Sequence, residues 1–92
     1  LGEEGFLSVV TAVDTRSATV VSRPAIQARG VAENDSVFAE ITDQIVTELE
    51  KAMAGGMDDT HRLQQVVRRT IGRWVSRSLR RRPMIVPVVV KI

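Results

Sequence analysis

No cysteine occurs among the 92 residues, so neither a disulfide framework nor a thiolate metal site is available, a composition that suits a reducing compartment. Tyrosine is also missing, and the aromatic side chains are Phe6, Phe38 and Trp74 alone. All three fall at positions that read as core, which leaves no platform on which nucleobases could stack. His61 is the single histidine, so a hydrolytic triad would have to use that one ring, and no Gly-x-Ser-x-Gly elbow supplies its nucleophile. A phosphate-binding P-loop and a Gly-x-Gly-x-x-Gly fingerprint are absent as well. The longest apolar run, Met84 to Val90, falls far short of the roughly 20 residues of a membrane span. The chain opens at Leu1 without the basic, apolar and small-residue succession of a secretory signal, and it reads as an excised piece of a cytoplasmic protein. These gaps argue against an autonomous enzyme, and neither a membrane nor a small-molecule ligand is expected as a partner.

What is present is the composition of one globular domain, 43% hydrophobic and 26% charged. The net charge of +2 conceals a sharp segregation. Residues 1–60 hold four basic and eleven acidic groups, a net −7, whereas residues 61–92 hold nine basic groups and no acid. Such asymmetry points to an electrostatic partner, or to a contact between the two parts within or between subunits.

Along the chain, Phe6 to Val13 (FLSVVTAV) alternates in β-forming residues and predicts a strand. Asp14 to Ser17 predict a turn, Ala18 to Ser22 the return strand of a hairpin, and Arg23-Pro24 its end, because proline cannot continue a ladder. Residues 25–33 lack a period and predict an irregular connection with a short extended piece at Ile26 to Ala28. Asn34, Asp35 and Ser36 are helix N-cap residues, followed by apolar Phe38, Ile41, Ile45, Leu49, Ala52 and Met53 at helical spacing, and Gly55-Gly56 closes that helix. Asp58, Asp59 and Thr60 open a second helix with the apolar face Leu63, Val66, Val67, Thr70, Ile71, Trp74 and Val75, for which Pro83 is the expected stop. Met84 to Ile92 is a β-branched run that predicts a buried strand, with Pro87 favouring an edge or a bulge. The expected fold is α+β in the order ββααβ, a three-stranded sheet with two antiparallel helices packed on one face.

Three features of this outline bear on function. On an ideal helix Arg62, Arg69, Arg73 and Arg80 fall within about a 40° sector with Arg77 beside them, a stripe of about 27 Å that suits RNA phosphates in bidentate contacts. The same arginines suit equally well a solvated face paired with Glu40, Asp43, Glu48 and Glu50 of the first helix. A sheet covered on one face leaves the other apolar, since both alternating sets of the first and last strands are rich in aliphatic residues. Leu7, Val9, Val86, Val88 and Val90 are therefore candidates for an interface. His61 beside Asp58 and Asp59 could serve a metal, but acids before a helix are also what capping and the macrodipole favour. Glu48 and Glu50 fit a solvated helix exterior better than acid-base work.

The opening strand from Gly5 to Asp14, the Ser22-Arg23-Pro24 turn, Ala28-Arg29-Gly30, the two helices and the ending Arg81-Arg82-Pro83-Met84-Ile85-Val86-Pro87 together resemble the C-terminal domain of ribonuclease J, in the form typical of actinobacteria. The resemblance runs from Gly5 to Ile92, and its most specific piece is the Arg-Arg-Pro-Met-Ile-x-Pro ending. It implies residues 1–5 as the end of an interdomain linker and residues 6–92 as a C-terminal accessory domain. It further implies a parent with a metallo-β-lactamase domain and an inserted β-CASP domain, a two-zinc ribonuclease with 5′-to-3′ exonuclease and endonuclease activity in RNA maturation and decay. The zinc ligands and the residues that hold the RNA 5′ end belong to the missing part, so no catalytic, cofactor or metal residue is assigned to this chain. The implied role of the domain is support of homo-oligomer assembly and full activity, with RNA engaged by the parent. Val31-Ala32-Glu33-Asn34 departs from the aromatic-containing stretch of other members, so contacts made by that segment are expected to differ.

Overall fold

The computed structural model describes residues 5–32 and 35–92. Strands β1 (Phe6–Asp14) and β2 (Thr19–Arg29) are followed by a 3₁₀ turn (Asp35–Phe38), helices α1 (Ala39–Ala54) and α2 (Thr60–Ser78), and strand β3 (Met84–Lys91). The sheet order is β2-β1-β3, with β2 antiparallel and β3 parallel to the central strand. The sequence-based ββααβ order is therefore that of the structure, and the sheet is mixed.

Period-2 alternation places Leu7, Val9, Thr11 and Val13 on the face beneath the helices, all of them buried. There they meet Ile41, Ile45, Leu49 and Met53 of α1 and Leu63, Val67, Ile71 and Val75 of α2, spaced at three or four residues as a helix requires. α1 lies over β2 and α2 over β3, and the helices touch each other between them.

β2 runs straight through Pro24 to Arg29, where the sequence predicts an end at Arg23-Pro24 and an irregular segment beyond. Its position at the sheet edge explains the difference. Val10 pairs with Ala25 and Ala12 with Ser22, so Arg23 and Pro24 together face Thr11 in a bulge, where no ladder donor is demanded of proline. Thr11, the buried polar side chain of β1, donates its hydroxyl to the Ser22 carbonyl at 2.6 Å and matches the acceptor that the bulge strands. In β3, Pro87 pairs with Val9 without interruption. Met84 and Ile92 donate their N–H groups inward, to Gly5 and Val13, so strand alternation turns position 87 outward and proline costs the ladder nothing.

The helix ends differ from expectation in two places. α1 begins at Ala39 with Phe38 as its N-cap residue and no side-chain cap, the chain entering through the 3₁₀ turn; Asn34 lies outside the described residues. Its C-terminus is a Schellman turn, with Gly56 at φ +101°, Gly56 N–H bonded to Met53 O at 3.0 Å and Met57 N–H to Ala52 O at 3.1 Å. Asp59 caps α2 by accepting from the His61 N–H at 2.9 Å. α2 stops at Ser78, well before Pro83, because Arg80 takes the left-handed conformation at φ +54°. Arg80, Arg81 and Arg82 therefore form a linker into β3 and no last turn of helix.

Candidate interaction surfaces

The arginines of the sequence-based stripe are divided by this helix end. Arg62, Arg69, Arg73 and Arg77 stand exposed on the outer side of α2, spanning about 22 Å, while Arg80 has left the helix. Along the side of α2 that faces α1 runs a groove of about 400 Å³ in which Glu40 and Glu48 oppose Arg69, Arg73 and Arg77. Trp74 forms part of its wall and packs at 5.6 Å, tilted 53°, on the buried Phe38. The arginines face these acids across the groove without closing on them: between described residues the one ion pair within 4 Å joins Arg23 of β2 to Asp43 at 2.7 Å. Asp43 thus serves the sheet edge instead of α2. Glu50 does so too, accepting the Val20 N–H at 2.9 Å.

On the other side of α2, Gln64 accepts the outward N–H of Val89 at 3.2 Å, so each edge strand has one backbone donor covered by a helix side chain. His61, for which a metal was one reading, contacts Gln65 at 3.2 Å. Among the described residues no three His, Asp or Glu side chains come together to hold a metal ion.

The sheet face away from the helices carries Phe6 and Val10 of β1 beside Met84, Val86, Val88 and Val90 of β3, each 37–49% exposed. Cross-strand registry sets Phe6 against Met84 and Val10 against Val88, which makes these side chains one continuous apolar patch. Of the five interface candidates named from the sequence, Val86, Val88 and Val90 are on this open face. Leu7 and Val9 are not: both are 0% exposed, because the odd positions of β1 point beneath the helices and the even ones outward. Phe6 likewise departs from the core role expected for all three aromatics.

A family model described as the ribonuclease J C-terminal domain matches residues 1–92. The chain belongs to the ribonuclease J C-terminal domain family. It is 34% identical over 88 residues to Ribonuclease J of Mycobacterium tuberculosis H37Rv, covering 96% of this chain and 16% of that protein. With Ribonuclease J of Corynebacterium glutamicum the identity is 33% over 91 residues, 98% of this chain and 13% of the relative. Ribonuclease J 2 of Staphylococcus aureus NCTC 8325 is 27% identical over 95 residues, all of this chain and 17% of the relative. The chain therefore spans about a sixth or less of the length of these ribonucleases. No helix among the described residues is long and apolar enough to cross a membrane.

Two sites escaped the sequence. Arg68 lies about 100° around α2 from Arg69, outside the stripe, and Arg81 seemed part of a helix end. In the structure both line hollows between α2 and β3.

Proposed function

We propose that this chain is a non-catalytic assembly module of a ribonuclease J-like enzyme of cytoplasmic RNA processing and decay. Its open sheet face associates with a second copy and so supports the oligomer in which the parent is fully active. The observation that carries this reading is the row Phe6, Val10, Val86, Val88 and Val90. Val21, Val37 and Ile92 are exposed as well, but here six neighbouring apolar side chains, Met84 included, stay in water on two adjacent strands. Hydrolysis and its zinc ions belong to the rest of the parent, in keeping with the share of the relatives that this chain covers. A sensitive nuclease assay on the 92-residue chain is expected to be blank.

Sedimentation of the chain tests the assembly reading. Self-association at high micromolar concentration, abolished by Val88→Asp without loss of the folded circular-dichroism signal, is the expected result. A parent chain that remains monomeric throughout that range rejects pairing through this face.

A second reading is supported by the concentration of arginine on and just after α2: contact with RNA phosphates by Arg62, Arg69, Arg73 and Arg77 of the helix and by Arg80 beyond its end. It predicts binding that is insensitive to base sequence and weakens steeply with salt.

A further inference from the structure

The hollows flanking α2 differ in a way that decides where a polyanion fits. The groove toward α1 carries Glu40 and Glu48. On the other side two hollows of about 480 and 490 Å³ follow one another along the seam between α2 and β3, and among the described residues neither has an acidic side chain in its lining. Arg69, Arg73 and Arg77 stand on the ridge between the two sides, whereas Arg68 lines the β3 side alone and Arg81 lines it together with a smaller hollow beside Gly30, Val31 and Ala32. A phosphate approaching the ridge is repelled by carboxylates on one flank and meets further guanidinium groups on the other. Gly72, at the middle of this seam, presents no side chain to bar close approach.

The seam also borders the outer edge of β3, where an extended peptide would ordinarily add as a fourth strand. That edge is poorly suited to it. The odd-numbered N–H groups of β3 point outward; position 87 has none, and that of Val89 is already bound by Gln64 at 3.2 Å. Two consecutive outward donors are thus withdrawn from strand addition, while the arginines beside them keep their phosphate-binding forks.

Resting on the second reading above, we infer that the seam between α2 and β3 holds the phosphodiester backbone of single-stranded RNA. Arg68 and Arg81 contact phosphates from within the seam, and Arg73 and Arg77 close over them from the ridge. A positively charged groove that tracks the backbone, without aromatic stacking, is the form of binding that this surface allows.

Fluorescence anisotropy of the 92-residue chain with a 5′-labelled uridine oligonucleotide, at low and at physiological salt, tests the assignment. The double variant Arg68→Gln/Arg81→Gln is expected to bind about tenfold more weakly or worse, with a salt slope smaller by about 1.4, two single-strand phosphates' worth. Arg16→Gln, in the turn between β1 and β2 and outside every arginine surface of α2, stays within about twofold of the unsubstituted chain. The substituted residues Arg16, Arg68 and Arg81 and the ridge residues Arg69, Arg73 and Arg77 are all exposed, and a thermal melt confirms that each variant is folded. If the double variant binds like the unsubstituted chain, the seam is overturned while RNA contact by α2 stands, and if Arg16→Gln loses as much, the seam is overturned by charge-driven binding that has no site. If the parent does not bind the oligonucleotide at low salt, both fall. A polyglutamate peptide that binds as tightly through Arg68 and Arg81 overturns the phosphodiester assignment in favour of an acidic protein.

Discussion

Gly5 lies where β1 and β3 begin and β2 ends, at φ +111°, and its carbonyl receives the Met84 N–H at 3.0 Å. A Cβ there would stand 2.7 Å from the Arg29 carbonyl oxygen and 2.8 Å from that of Gly30, both backbone atoms that cannot swing aside. Gly5→Ala is expected to destabilise the domain by on the order of 3 kcal/mol, read from urea unfolding, through a clash added to a disfavoured dihedral. The family resemblance puts Gly5 at the end of a linker, and nothing local in the sequence distinguishes a hinge glycine from one pressed against another strand. Arg80 presents the opposite case. At φ +54° it holds a conformation that glycine adopts freely, so Arg80→Gly should raise stability by about 1 kcal/mol despite the longer side chain lost. Thr11 was read as one more strand residue. Its hydroxyl bond to Ser22 makes Thr11→Val, a change of similar shape, cost about 1–2 kcal/mol by leaving a bulge carbonyl unmatched.

Elements were legible where period and punctuation agree. The apolar spacing of α1 and α2, the glycines after α1 and the Asp59 cap all survive into the structure, because they depend on neighbours within a turn or two. The end of α2 was misjudged from Pro83, because the left-handed Arg80 stops the helix earlier, and the course of β2 was misjudged from Pro24 for a reason that lies in the sheet. Proline forbids a donor, but whether a donor is needed depends on which side of the strand has a partner, and that is a property of the sheet. Gly72 tests the balance between local and tertiary demands within one helix. It sits in the interior of α2, and an added Cβ would lie 3.6 Å from Cδ1 of Ile85, an ordinary contact. Gly72→Ala should therefore gain most of the helix-propensity difference, about 1 kcal/mol, and raise Tm by roughly 4–8 °C in a thermal melt.

For the molecule as a whole, the decisive division is between the two faces of one sheet. Truncation on the covered face should be costly: Leu7→Ala removes a fully buried side chain from the middle of the core and is expected to lose roughly 3 kcal/mol. Val90→Ala, on the open face at 49% exposure, should shift stability by no more than about 0.5 kcal/mol in the same denaturant titration while weakening self-association. Equal losses at the two positions would mean that the open face is not a separate surface. The charge segregation has a comparable two-sided outcome. The acids of α1 screen one flank of the arginine helix, and the other flank, against β3, carries arginines and no acidic side chain among the described residues.

Composition, periodicity and capping residues by themselves determined the ββααβ order, the apolar faces of both helices, the basic character of the second half and the family resemblance, since each is carried by residues close together in the chain. Which strand face meets the helices, where α2 ends, and which arginines share a surface were decided by the tertiary structure alone. In β1 both alternating sets are apolar enough to be core, and a shift of one residue exchanges them; only packing against α1 and α2 selects Leu7 and Val9 for the interior and leaves Phe6 and Val10 outside.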